Sequence, residues 1–122
     1  MLYNVNAHNL KDAHFVEVAG VDGIDIVDCK FYDMHVAAQN RGREAIQIDV
    51  LHADHIAGYE HLNDEIDYLC KNIYISGCEF TGVSRAIASH TVVQGKYFEN
   101  VDIIGNKFNN TDEKSNLCFN MK

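Results

Sequence analysis

Residues 72–80 read NIYISGCEF, and the same pattern returns at 23–31 as GIDIVDCKF and at 100–108 as NVDIIGNKF. Each stretch runs apolar, any, Ile, any, any, Cys or Asn, any, Phe, the place after Ile being apolar in two of the three (Val27 and Ile104, against Ser76). Alternation with a period of two is the signature of a strand with one apolar face. The predicted inward sets are Ile24, Ile26 and Phe31; Ile73, Ile75 and Phe80; and Val101, Ile103 and Phe108. A small or polar residue two places before each Phe marks a bend, so each unit reads as a strand, a corner and the start of a second strand. A second row follows each Phe: AIQID (45–49), AIASH (86–90) and NLCFN (116–120), and FVEVA (15–19) falls into the same row just before the first unit. No segment carries a capped helical stripe, no Asn-Gly occurs, and the one Asp-Gly, Asp22-Gly23, opens the first unit, with none separating the strands of the later units. Short strands repeating without hairpins favour a solenoid over a meander or a sandwich.

Stacking of equivalent positions turns the repeat into columns, because neighbouring parallel strands lie about 4.8 Å apart. Phe31, Phe80 and Phe108 would form an aromatic column inside. Cys29, Cys78 and Asn106 would form another at the corner, with the Asn amide serving backbone groups at the bend and the thiols reduced and buried. The four cysteines make no CxxC pair, which excludes a zinc ribbon or a thioredoxin motif. With no proline and eight glycines, the turns fall to Asn, Asp and Gly.

The chain of 122 residues is read as a single β-helix segment, 1–122, with an inserted loop at 51–70. Its apolar share of 47% is that of a globular chain, and its formal charge of −8 argues against nucleic acid as a partner. No apolar run approaches the roughly 18 residues of a membrane span. The expected state is a fragment of a longer β-helix or a short chain that self-associates end to end, since terminal solenoid layers expose core and open strand edges.

These N-I-x-I-x-x-(C/N)-x-F units resemble the pectin-lyase-like right-handed parallel β-helix superfamily over nearly the whole chain. HFVEVAG, EAIQIDV and AIASHT are similar to bacterial surface and secreted members of that group. The resemblance implies an all-β, right-handed parallel β-helix of about four coils, a polysaccharide partner, an extracellular or cell-surface location, and a groove over one sheet face. Of the NTD, DD and GHG motifs of polygalacturonases only the tripeptide Asn110-Thr111-Asp112 occurs, with no DD or GHG to accompany it, and the D-P-H-E motif of alginate epimerases is absent, so no particular activity transfers; this fold hosts many.

Within that frame, aligning Val16, Ile46 and Ile87 as inward neighbours puts Glu17, Gln47 and Ala88 in one outward row and Ala19, Asp49 and His90 in the next. Glu17, Asp49 and His90 are the candidate catalytic groups. Glu17 lies diagonally across from Asp49, about 8 Å away between α-carbons by strand geometry, inside the roughly 6.5–9.5 Å carboxyl spacing of inverting glycoside hydrolysis. Gln47 would bind sugar hydroxyls, with His52 and Tyr59 of the 51–70 loop as further substrate contacts, Tyr59 through its ring face. Arg41 and Arg43 are the candidate contacts for an anionic glycan. No metal site is expected: His52, Asp54, His55 and His61 match no known ligand spacing, and calcium through Asp54, Asp64, Glu65 or Asp67 is the alternative to a cofactor-free chain. The competing readings are a glycan-binding or adhesive module without chemistry and a tailspike-like structural segment.

Overall fold

A computed structural model describes residues 1–37, 43–51, 58, 70–89, 98–109 and 116–118. These are all-β, with no helix among them and hence none long and apolar enough to cross a membrane. In chain order the strands are β1 (Leu2–Tyr3), β2 (Asn6–Lys11), β3 (Val16–Ala19), β4 (Asp22–Val27), β5 (Lys30–His35) and β6 (Glu44–Asp49). There follow β7 (Lys71–Ser76), β8 (Glu79–Thr81), β9 (Arg85–Ala88), β10 (Glu99–Ile104), β11 (Lys107–Asn109) and β12 (Leu117–Cys118). They form three four-stranded sheets, ordered β1-β4-β7-β10, β2-β5-β8-β11 and β3-β6-β9-β12, and every pairing is parallel. Each strand therefore lies beside the third strand after it.

The register is that of the sequence repeat. Ile24 pairs with Ile73 and Ile73 with Val101; Ile26 pairs with Ile75 and Ile75 with Ile103. Phe31, Phe80 and Phe108 fall in line, with ring centroids 5.3 and 5.4 Å apart and planes tilted by 22° and 13°. Phe31 and Phe80 are fully buried, and Phe15 leans on Phe31 at 5.6 Å. Truncation of such a ring to alanine typically costs about 3–5 kcal/mol, so this column anchors the interior.

The corner between the first and second sheets is set by backbone conformation. Asn4, Asp28, Gly77 and Gly105 occupy equivalent positions and all adopt positive φ, from 53° to 65°, a region that Gly, Asn and Asp tolerate best. Asn9, Asp33 and Gly82 repeat the device within the second sheet, and Gly23, Asn72 and Asn100 within the first. Asn100 Nδ2 donates to Asn72 Oδ1 at 3.0 Å, and Asn72 Nδ2 donates to Asp22 Oδ1 at 2.7 Å. Lys71 Nζ adds an ion pair to Asp22 at 3.2 Å, and together these hold the exposed Asp22 carboxyl below its ordinary range, the Asn72 bond contributing most.

Directly after the corner, the thiol of Cys29 donates to Val27 O at 3.3 Å and that of Cys78 to Ser76 O at 3.5 Å. Asn106, third in the column, does more: its Oδ1 accepts from Cys78 N–H at 2.8 Å and its Nδ2 donates to Ile75 O at 2.9 Å. Cys29, Cys70 and Cys78 are free, buried thiols. The chain's first two strands were not visible in the repeat, because Val5 and Ala7 stand where later units have Cys or Asn and Phe; yet Ala7 pairs with Phe31 in the same register.

Two outcomes are expected. A Cβ at Gly77 would collide with the Asp28 carboxylate in a backbone region unfavourable to side chains, so Gly77→Ala should cost about 1–3 kcal/mol in denaturant unfolding. Gly82→Ala, with nothing within 4 Å of the added atom, should cost less. Burial pushes the Cys78 thiol from 9.0 up to about 11. The folded state therefore keeps a proton that the unfolded chain loses, and stability should fall as pH climbs from about 9 to about 11. That part of the fall should vanish in Cys78→Ala.

Candidate functional site

The third sheet carries the residues singled out for chemistry. Val16, Val18, Ile46, Ile48 and Ile87 alternate with other residues and pack into the core, which is what holds these short strands flat against the interior. In register, Val16 pairs with Ile46 and Ile46 with Ile87; Glu17 pairs with Gln47 and Gln47 with Ala88; Ala19 pairs with Asp49. Leu117 and Cys118 continue the two columns beyond β9. Glu17 thus stands opposite Gln47 and diagonal to Asp49, as the alignment anticipates.

The surroundings of the three differ from the expected open row. Glu17 is exposed. Gln47 and Asp49 retain only 7% and 6% of their accessible surface, and Ala88, in register with Gln47, is buried as well. Both faces of β6 are therefore shielded from solvent. Gln47 Nε2 donates to Asp49 Oδ2 at 2.5 Å, fixing the carboxylate, while Gln47 Oε1 is buried with no hydrogen-bond partner among the described residues. A buried amide oxygen left unsatisfied costs on the order of 1–3 kcal/mol, so this face carries polarity that packing alone does not require. The Asp49 carbonyl accepts from Gly20 N–H at 3.2 Å and from the Cys70 thiol at 2.9 Å. Burial is the main cause that raises the Cys70 thiol, so it serves as a neutral donor that ties the start of β7 to the end of β6.

A second polar group lies at the other end of the same strands, and the sequence reading missed it. His14 Nδ1 lies 2.8 Å from the Glu44 carbonyl and 3.6 Å from Glu44 Oε2, and Arg43 Nη1 lies 3.4 Å from His14 Nε2. The ring is consistent with a neutral tautomer, Nδ1–H donating to the carbonyl and Nε2 accepting from the guanidinium. Glu44 is fully buried, and its in-register neighbour Arg85 approaches Oε1 at 3.7 Å. Arg43, expected as a glycan contact, is thus engaged with His14, and its Nε and that of Arg85 are buried without acceptors among the described residues. A signal was present: EAIQID and RAIASH begin with opposite charges at one repeat position.

His90, Arg41, His52 and Tyr59, like Asp54, His55, His61, Asp64, Glu65 and Asp67, lie outside the described residues. Among the described residues no three His, Cys, Asp or Glu side chains gather in a way that could hold a metal ion. What the described face brings together is one solvated carboxylate, one shielded carboxylate clamped by an amide, and a cation-rich corner built on His14. No family model, no curated protein and no solved structure matches this chain.

Because Glu44 is buried while the Arg85 side chain is 31% exposed, Arg85→Met should cost less than the 3–5 kcal/mol of a fully buried pair, about 2 kcal/mol. Adding Glu44→Gln should recover part of that loss. Strict additivity of the two substitutions in a double-mutant cycle would show that the pair is not coupled.

Proposed function

We propose that this chain is a right-handed parallel β-helix of about four coils that engages a polysaccharide across the outer face of its third sheet. The interval of three between neighbouring strands supports the architecture, since a chain visiting three sheets in turn produces that order. Parallel crossovers are right-handed in about 98% of cases, which supports the hand. The Cys/Asn-x-Phe units favour a pectin-lyase-like member, and an extracellular or cell-surface setting follows from that same resemblance.

The observation that carries the functional reading is the diagonal placement of Glu17 and Asp49 on adjacent strands, one in solvent and one shielded and held by Gln47. Two carboxylates in unlike environments are what an acid and a base acting on one glycosidic bond require. In this reading Glu17 activates water or abstracts a proton, Asp49 works on the opposite side of the bond, and Gln47 orients it. Arg43 contributes cationic character at the far end of the strands.

A binding module without turnover is the second reading, and a specific observation favours it. Asp49 is only 6% exposed and already accepts from Gln47, so a substrate must open this contact to reach it.

Incubation of the full chain with a panel of neutral and anionic polysaccharides separates the two. Release of reducing ends indicates hydrolysis, and the ultraviolet absorbance of unsaturated uronides indicates elimination. If Asp49 is catalytic, Asp49→Asn should lower turnover by roughly 10²–10⁴-fold with binding retained. Binding without either product, in the unaltered chain, would reject catalysis and select the binding module; neither binding nor product would reject both.

A further inference from the structure

The outer face of the second sheet carries a site of a different kind. Its outward columns run His8, Tyr32, Thr81, Asn109 and, beside them, Asn6, Lys30, Glu79, Lys107. His8 and Tyr32 stack with centroids 4.8 Å apart and planes only 11° from parallel. Their rings are thus piled along the column, one per strand, and the next place in the pile falls over Thr81. Thr81 is too small to fill it. A cleft of about 220 Å³ opens there, lined by Lys30, Phe31, Tyr32, Asp33, Glu79 and Thr81.

The cleft is organised as well as empty of side chain. Glu79 Oε1 accepts from Lys107 Nζ at 3.4 Å and from Asn109 Nδ2 at 3.0 Å, and Asn109 Nδ2 also approaches Thr81 Oγ1 at 3.4 Å. The far wall is therefore held in place before any ligand arrives, which lowers the ordering cost of binding. Across from it, Lys30 makes no ion pair among the described residues.

We infer that the notch over Thr81 is a second, non-catalytic saccharide site, which takes one pyranose ring as the third member of the His8–Tyr32 stack. A sugar ring offers an apolar C–H face to Tyr32 and a hydroxyl edge to Thr81, Glu79 and Lys30. Donors and acceptors converging beside one aromatic face are the usual make-up of such sites. The cleft sets Lys30 against the two carboxylates Glu79 and Asp33, an excess of negative charge, so a neutral sugar fits better than an anionic one. A nucleobase would stack equally well, but the chain's charge of −8 repels the phosphates that accompany it. The site lies on a different sheet from Glu17 and Asp49 and stands or falls separately from the chemistry proposed there.

Amide chemical shifts of the full chain, titrated with neutral gluco-, manno- and galacto-oligosaccharides, test this. The expected result is saturable shifts centred on Lys30, Tyr32, Glu79 and Thr81 with at least one of the three series. Affinity should fall at least about tenfold in Tyr32→Ala, the effect of deleting one stacking partner. It should fall likewise in Thr81→Tyr, which fills the notch with protein, and stay within about twofold in Tyr32→Phe and Asp49→Asn, a twofold change being about 0.4 kcal/mol. Thr81 is exposed, so Thr81→Tyr keeps the test decisive if Tyr32→Ala does not fold. No shifts with any series, shifts confined to β3, β6 and β9, or binding that survives Thr81→Tyr would each overturn the inference.

Discussion

Left-handed backbone at the same place in successive repeats is the constraint on which the rest of this structure depends. Asn4, Asp28, Gly77 and Gly105 turn the chain by the same amount each time it leaves the first sheet, so the strands that follow start in step. Only then can Phe31, Phe80 and Phe108 meet ring to ring. A residue unsuited to positive φ at one of these places would shift its strand against both neighbours and, with a period of two, turn apolar side chains toward water. Asp28 and Gly77 also show that the column is cooperative: the Asp28 carboxylate occupies space that exists because Gly77 has no side chain.

The same stacking explains where polarity can be stored. In a parallel pair each side chain meets its equivalent on the next strand, so a tolerated polar residue finds a partner at a fixed place. Asn72 and Asn100 join in this way on the first sheet, Glu79 and Lys107 on the second, and Glu44 and Arg85 on the third. The first two pairs sit at the surface, where such contacts are worth little. In the third, Glu44 is fully buried beside His14 while Arg85 reaches it from a partly exposed position, and a buried carboxylate without partners would be strongly destabilising. The third sheet is thus the one that keeps carboxylates, an amide and guanidinium groups away from water. That expense of polarity in a shielded place is what sets it apart from the other two faces.

Much of the fold could be read directly from residue order. Three nine-residue units aligned without gaps, and their alignment coincides with the observed pairing from Ile24 to Phe108; the row from Val16 through Ile46 and Ile87 to Leu117 coincides as well. The reason is that parallel in-register stacking places like beside like, so a sequence period maps onto a spatial one. Where the repeat drifts, as at Val5 and Ala7, the reading lost the strands although the register persists. The candidate site was legible only as a row of positions. Glu17, Gln47 and Asp49 were correctly ordered, but that Gln47 and Asp49 are shielded, and that Gln47 clamps Asp49, depends on neighbours distant in the chain.

Sequence by itself therefore determined the period, the parallel register and the identity of the stacked columns, because each follows from side-chain alternation and from the few residues that accept positive φ. Tertiary structure alone decided which outward residues face water, that His14 and Arg43 come together over Glu44, and that a ring-sized notch opens beside Tyr32. Exposure and void are properties of everything that surrounds a residue, and no local pattern encodes them.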